Sequence, residues 1–195
     1  MPACMLSIRD GIREHDVAAE GEYAMRRLGS ERPGMDTVVA SGPNARFIIA
    51  RKTGRKIRKG DLVSISIGPR CLGYHGELGR PIFYGSRAQK DLDFAMKTAC
   101  EALKITREAL KPGAIGEEVE AAGRNHVKKA RLFEYYTYSS CHSVGTAEAE
   151  EPVLGTGSGL VVRTNRVFSI DIPLFLAPSG VFGTRTAFSL PNPAA

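Results

Sequence analysis

The sequence predicts one α+β domain in which helices cover one face of a curved, mostly antiparallel sheet. The predicted elements follow the order helix, strands, two helices, strands, and the chain contains no low-complexity segment and no short-period repeat. A chain of 195 residues that is 43% hydrophobic and 25% charged is long enough to bury a single core. We therefore predict one domain over residues 1–195.

The first half of the chain predicts a helix followed by strands. Apolar residues recur with helical spacing from Ser7 to Leu28, and a glycine and a proline then end the helix. The segment "GMDTVVASGPNARFIIARKT" is typical of a short strand, a turn and an extended piece. Strands at 62–67 and 72–84 flank a turn at Gly68–Pro69, which indicates a hairpin.

The second half predicts two helices and then strands. The first helix runs from about Ala88 to Leu110 and ends at Pro112–Gly113, and the second starts near Gly116. "EYYTYSSCHSVG" indicates a strand that enters a turn. "TGSGLVVRTNRVFSIDIPLFLAP" predicts a strand pair, and "GVFGTRTAFSL" predicts the last strand.

Charge and hydropathy exclude several classes of function. The net charge of +6 comes largely from "ARKTGRKIRKGD", which we interpret as a solvated loop because no nucleic-acid-binding motif accompanies it. No apolar run approaches the roughly 20 residues that span a bilayer, and no secretory leader is recognisable. Four widely spaced cysteines without a C-x-x-C motif are expected to be reduced thiols. We predict a cytoplasmic protein that binds neither nucleic acid nor membrane.

One acidic residue interrupts the apolar strand pattern "FSIDIPLF" at Asp171. Burying a carboxylate costs several kcal/mol unless it is paired, hydrogen-bonded or bound to a metal. Asp171 therefore requires a partner, which is either structural or part of a functional site.

Several blocks resemble the pita-bread family of hydrolases, which includes methionine aminopeptidase, Xaa-Pro aminopeptidase, prolidase and the metal-free creatinase. The blocks are "ASGPN", "KGDLVSISIG", "YHGELGRPIF", "KPGAIGEEVEAAGR", "CHSVGTAEAEEP" and "RVFSIDIPLF", and they occur in the family's order. The resemblance covers about 7–190. It implies the pita-bread fold and, by analogy, a homodimer.

The resemblance also locates the five ligand positions at which metal-dependent members hold two divalent cations. These positions fall on Ser66, Glu77, His142, Asp171 and Arg185. A serine hydroxyl is a poor ligand for a hard cation, and an arginine places a fixed positive charge where a metal would lie. We therefore predict no dinuclear centre and no cofactor. A single metal on Glu77, His142 and Asp171 is the alternative.

Other family positions differ as well. A histidine that contacts substrate in the peptidases corresponds here to Ile49, and a second histidine corresponds to Ala149. The separate N-terminal domain of the larger relatives has no counterpart in this sequence. The sequence is therefore expected to be a fragment or the product of a shortened reading frame.

By resemblance to creatinase, the functional interpretation is metal-free acid–base hydrolysis of a C–N bond in a small peptide, amide or amidino substrate. His142 would be the general acid/base, because imidazole changes charge near neutral pH. Glu77 would orient it or hold a cationic group, Asp171 would complete the catalytic set, and Arg185 would bind a substrate carboxylate.

Two further residues are candidates for the cleft. His75 lies two residues before Glu77, so strand alternation predicts that both face the same side. Tyr138 precedes the histidine turn and is a candidate wall of the site, although a tyrosine there is more typical of the core.

Three functions remain open from the sequence. The first is the hydrolase of a small molecule or short peptide, and the second is a non-catalytic relative that keeps the fold to bind a partner. The third is an ordinary metal-dependent Xaa-Pro or methionine aminopeptidase. A structural alternative also remains, in which Arg185 pairs with Asp171 or Glu77 and no catalysis occurs.

Overall fold

The computed structural model describes residues 1–85, 90–139, 141–177 and 180–190, with the backbone alone for 176, 177 and 180–190. The helices are α1 (Pro2–Ser7), α2 (Glu14–Arg27), α3 (Lys90–Ala109) and α4 (Gly116–Lys129). The strands are β1 (Arg32–Pro33), β2 (Val38–Ser41), β3 (Leu62–Ile67), β4 (Pro69–Cys71), β5 (Tyr74–His75), β6 (Leu78–Phe83), β7 (Cys141–Ser143), β8 (Glu150–Leu154), β9 (Arg166–Ala177) and β10 (Gly180–Leu190). Among the described helices, none has the length and apolar character needed to cross a bilayer.

The main sheet has seven strands in the order β2-β3-β6-β10-β9-β7-β8, and every described strand pair is antiparallel. The predicted hairpin is present, since β3 pairs with β6. The strand predicted over 72–84 is interrupted, however. Between β3 and β6 the chain forms β4 and β5, because Leu72 and Gly73 both adopt positive φ and reverse it. These two strands join β1 in a small second sheet with the order β1-β4-β5.

The first predicted helix is divided into α1 and α2. Between them the backbone of Gly11 and Ile12 bonds to Ile57 instead of continuing the helix: Gly11 N–H donates to the Ile57 carbonyl, and Ile57 N–H donates to the Ile12 carbonyl, each over 2.8 Å. A long-range pairing has therefore replaced local helical bonds.

Two hydrophobic clusters hold the helices to the sheet. Helices α1 and α2 pack on β2 and β3, whereas α3 and α4 pack on β7, β8 and β9. The crossing of α3 and α4 is close at Gly123, where a Cβ atom would collide with the Thr106 hydroxyl. A residue other than glycine at 123 would push the two helices apart.

The two faces of strand β9 lie in different environments, which answers the question that Asp171 raised. Its even-numbered residues, from Phe168 to Leu174, belong to the helix-side core. Side chains alternate along a strand, so Ser169 and Asp171 lie on the opposite face. The carboxylate is thus directed away from the hydrophobic core and into the concave side of the sheet.

A fully buried carboxylate organises the loop that follows β2. Glu14 on α2 is 0% exposed, and its oxygens accept hydrogen bonds from the backbone N–H and hydroxyl of both Ser41 and Thr53 and from the Asn44 amide, over 2.6 to 3.2 Å. Because these donors lie before and after residues 45–52, Glu14 fixes both ends of that segment.

We predict that Glu14→Ala lowers the free energy of unfolding by about 3 kcal/mol, because several buried donors lose their acceptor together. Urea unfolding followed by circular dichroism measures this value. Glu20→Ala, an exposed position on the same helix, is the matched control and should change stability by less than about 0.5 kcal/mol. Equal effects of the two substitutions would contradict the anchoring role.

Candidate functional site

The strand register gathers the predicted site residues on the concave face. His142 on β7 lies directly opposite Ser169 on β9, and opposed residues share a face of the sheet. Asp171 lies two residues beyond Ser169 and therefore on that face too. Glu77 immediately precedes β6, which is two strands from β9.

Three ionisable side chains meet there away from solvent. His142 Nε2 lies 3.7 Å from Glu77 Oε1 and 3.8 Å from Asp171 Oδ2. The exposed fractions are 8% for His142, 6% for Glu77 and 1% for Asp171. The structure thus brings together the three residues to which the sequence analysis assigned catalytic roles.

The protonation of His142 follows from its neighbours. Its Nδ1 lies 3.1 Å from the Ser143 carbonyl, which can only accept, so Nδ1 carries a proton and Nε2 faces the carboxylates. Burial lowers the pKa of His142, but the Asp171 carboxylate, the Ser143 carbonyl and Glu77 together outweigh burial and raise it above the ordinary 6.5. The two acids beside Nε2 therefore favour the protonated form of the imidazole.

Asp171 is also stabilised by hydroxyl groups. The Ser169 hydroxyl donates to Oδ1 over 2.9 Å, and the Tyr138 hydroxyl lies 3.3 Å from Oδ2. Both oxygens thus have a donor near them, and the buried carboxylate avoids the cost of unmet hydrogen bonds.

A small cleft opens beside Asp171, with a cavity volume of about 50 Å³. Its wall combines apolar side chains with a few polar groups from β3, β9 and the segment before β7. The described lining residues are Met35, Val38, Ala40, Phe47, Ile49, Ser64, Ile65, Ser66, Gly79, Tyr138, Asp171, Ile172 and Phe175. Tyr138 thus lies in the wall of the cleft, and its contact with substrate stays a prediction.

The two remaining candidate site residues are Arg185 and His75, and the structure places them in different sheets. The backbone of Arg185 on β10 is opposite Asp171 on one side and Gly79 on the other, but its side chain lies outside the described residues. His75 ends β5 in the small sheet, so strand alternation does not continue from His75 to Glu77. Neither ring nitrogen of His75 has a hydrogen-bond partner among the described residues, and a cleft role for it stays a prediction.

Sequence reasoning missed two residues of this region. Ser169 was overlooked, although its i, i+2 spacing from Asp171 within a strand could have identified it. Glu148 was overlooked because it lies in a loop between β7 and β8, where no periodicity predicts direction. Donor atoms of Glu77, His142 and Glu148 all lie within 4.8 Å of one another.

Comparison with known families fits this geometry. A model of metallopeptidase family M24 matches residues 1–187. The chain belongs to metallopeptidase family M24. The α+β prediction with the pita-bread architecture is thereby confirmed, since M24 prolidases share the fold over nearly the whole chain.

Two M24 relatives illustrate the similarity. The chain is 30% identical over 178 residues to the Xaa-Pro dipeptidase of Pyrococcus horikoshii, covering 91% of this chain and 50% of the relative. The solved structure of prolidase from Pyrococcus furiosus is 28% identical with a TM-score of 0.90, covering 98% of this chain and 57% of that one. The chain therefore spans about half the length of the relatives it matches.

A metallopeptidase is expected to bind metal ions, and the possible metal ligands of this chain meet that expectation only in part. At the position of the first aspartate, Ser66 offers a neutral hydroxyl that lies 3.8 Å from the Met35 sulfur. The described donors do not fit a pair of cations. One divalent cation fits Glu77, His142 and Glu148, which combine two carboxylates with an imidazole.

We predict that His142 titrates above 6.5 and that its two acid neighbours contribute unequally. Because Asp171 raises the pKa more than Glu77 does, Asp171→Asn should lower the His142 pKa further than Glu77→Gln. NMR titration of the imidazole C–H signals in chelator-treated protein measures both shifts. The reverse order would contradict the proposed arrangement of charges.

The same shift predicts how stability depends on pH. Because the folded pKa of His142 is above the unfolded value, its contribution is fully present below about pH 6.5 and is lost as pH rises through the folded pKa. In His142→Gln this part of the pH dependence should disappear. Unfolding free energies measured from pH 5 to 9 in chelator provide the comparison, and an unchanged profile would exclude the shift.

Proposed function

We propose that this chain is the hydrolase domain of an Xaa-Pro-type peptidase, which cleaves the C–N bond of a short peptide by acid–base chemistry. This proposal depends on the position of His142. Its Nδ1 lies within hydrogen-bond distance of the Ser143 carbonyl, and its Nε2 lies between Glu77 and Asp171. Similarity to Xaa-Pro dipeptidases supports the choice of substrate class. A small amide or amidino compound is the broader form of the same proposal.

In the proposed reaction water attacks the scissile carbonyl carbon, a C–O bond forms, and the C–N bond breaks. Protonated His142 Nε2 donates its proton to the leaving nitrogen, which departs as a neutral amine. Glu77 takes the proton that the attacking water releases and returns it to the imidazole. Asp171, hydrogen-bonded by Ser169, remains ionised and stabilises the imidazolium.

Where one divalent cation is bound, Glu77, His142 and Glu148 would hold it, and it would supply an acidified water and a Lewis acid for the carbonyl. The metal-free alternative rests on Arg185. We propose that its guanidinium occupies the second cation's place, pairs with Asp171 or Glu77 when the cleft is empty, and binds a substrate carboxylate. The backbone pairing of Arg185 with Asp171 supports this placement.

A second function, binding without hydrolysis, is favoured by one observation. Hydroxyl groups lie close to both oxygens of Asp171, which suits a structural carboxylate as well as a catalytic one. In that case the cleft would bind a short peptide and release it unchanged. The homodimer and the cytoplasmic location remain predictions from the sequence.

We predict that the purified protein hydrolyses at least one Xaa-Pro dipeptide and that His142→Ala reduces kcat/KM by about 10²- to 10⁴-fold. Amine release from a dipeptide panel, with creatine-like and cyclic amidine compounds included, measures turnover. His126→Ala, on the far helix α4, is the matched control and should keep full activity. If wild type, His142→Ala and His126→Ala are all inactive but still bind dipeptides, the result would favour the binding function.

We predict that Arg185→Glu raises the bound Mn²⁺ or Co²⁺ to near one per chain or more, because a carboxylate replaces a fixed positive charge. Wild type should hold well below one. Plasma mass spectrometry after dialysis against metal-stripped buffer and defined metal gives the stoichiometry. Arg163→Glu makes the same charge change at an exposed site and should bind no more metal than wild type. Wild-type protein that retains two metals would refute the role of Arg185.

A further inference from the structure

A second cavity lies away from the cleft, at the loop that joins β8 to β9. Its volume is about 350 Å³, and its described lining residues are Leu160, Val161, Arg163 and Arg166. None of these four is among the described residues that line the cleft. Asp171 lies further along β9 than Arg166, at roughly 17 Å for an extended strand. A cavity of this size is typical of sites for small organic molecules.

Backbone hydrogen bonds hold one wall of this cavity in place. The Val162 N–H donates to the Ala114 carbonyl over 2.9 Å, and the Gly113 N–H donates to the Val162 carbonyl over 2.8 Å. The Gly116 N–H donates to the Leu160 carbonyl over 2.8 Å. Because these bonds join the loop to the segment before α4, the wall is preorganised and loses little conformational entropy when a ligand binds.

The path of the loop directs charge and apolar surface to the same cavity. Val162 is 1% exposed and belongs to the helix-side core. In an extended segment its neighbours Val161 and Arg163 therefore point outward. Asn165 then has a φ of +58°, a left-handed conformation that asparagine tolerates. The chain bends there, and Arg166 lines the same cavity as Arg163.

The two arginines have no acidic partner within the part of the chain that the structure describes. The loop segment 155–167 contains no aspartate or glutamate. Two guanidinium groups at one cavity repel each other, and an anion between them would relieve the repulsion and accept paired hydrogen bonds. Leu160 and Val161, which are 37% and 52% exposed, offer apolar surface to the rest of such a ligand.

We infer that this cavity binds a small organic anion. Its carboxylate or phosphate group would contact Arg163 and Arg166, and a short apolar chain would pack on Leu160 and Val161. Charge and apolar surface together select this class. An inorganic anion would leave the apolar wall in water, and a neutral apolar compound would give the guanidinium groups no acceptor. The cavity is separate from the cleft, so the inference does not depend on the proposed hydrolysis.

Calorimetry on the whole chain tests both parts of the ligand. Hexanoate is compared with hexanamide, which has the same chain without the charge, and with acetate, which has the charge without the chain. Hexyl phosphate is compared with hexanol and with inorganic phosphate in the same way. At least one of the two hexyl anions should bind about tenfold more tightly than both of its controls. If neither anion shows this preference, the inference is overturned.

NMR locates the anion that binds more tightly. In ¹⁵N-labelled protein it should shift the amide signals of residues 160–166 and leave those of Ser64 and Ser66, which line the cleft, unchanged. Shifts confined to the cleft would assign the binding to the other site and overturn the inference.

Substitutions separate the site from a general effect of net charge. Arg163→Gln and Arg166→Gln should each weaken binding of that anion by about fivefold or more. Arg9→Gln removes the same charge at an exposed position and should keep the wild-type affinity. Val161→Thr keeps the branched shape but makes the wall more polar, so the preference for the hexyl chain should fall about threefold.

Thermal unfolding shows whether these surface variants keep the fold, since their Tm values should agree with wild type within about 2 °C. With the fold retained, wild-type affinity in both arginine variants would overturn the inference. An equal loss of affinity in Arg9→Gln would do the same, because it would show that net charge alone controls binding. The measurement needs no turnover, so failure of the proposed hydrolase would leave this site unaffected.

Discussion

Burial of charge is the constraint on which the site depends. Glu77, His142 and Asp171 are almost fully removed from water within a largely apolar sheet, and isolated ions there would be destabilised by several kcal/mol each. They are tolerated because both acids lie near His142, because the Ser143 carbonyl accepts from the imidazole, and because the Ser169 hydroxyl donates to Asp171. The same contacts raise the pKa of His142 and so favour the protonated imidazole that the proposed reaction uses. Stability and chemistry therefore arise from one cluster.

A second buried acid, Glu14, helps to determine the shape of the cleft although it is not among the lining residues. Glu14 belongs to a helix on the convex side, yet its hydrogen bonds determine where the loop after β2 runs. That loop carries Phe47 and Ile49 to the mouth. Helix packing and the position of the loop beside the cleft are consequently linked.

The sequence resemblance implies that this chain departs from the M24 metal ligands at Ser66 and Arg185. The cluster retains a carboxylate at Glu77, the imidazole of His142 and a shorter acid at Asp171, whereas Ser66 cannot replace a carboxylate ligand. Glu148, from a loop, offers an additional donor close to the first two. Membership of the family thus fixes the fold, while the residues at the ligand positions decide how much of the family's chemistry this chain can perform.

Periodicity located most elements because it is a local property. The helices α3 and α4, the strand β9 and the pairing of β3 with β6 all follow from residue spacing that neighbouring residues determine. The break between α1 and α2 did not, because Gly11 and Ile12 bond to Ile57, more than forty residues away. The insertion of β4 and β5 also escaped prediction, since it depends on positive φ at Leu72.

By itself the sequence determined the α+β class, the family resemblance and the identity of the acids and histidine that belong together. Only the tertiary structure decided which face of β9 Asp171 occupies and how far His142 lies from each acid. It also decided that Ser169 supports the carboxylate and that Ile49 lies at the mouth of the cleft. The physical reason is that distances and hydrogen bonds between strands depend on register, and register is set by contacts between residues far apart in the chain.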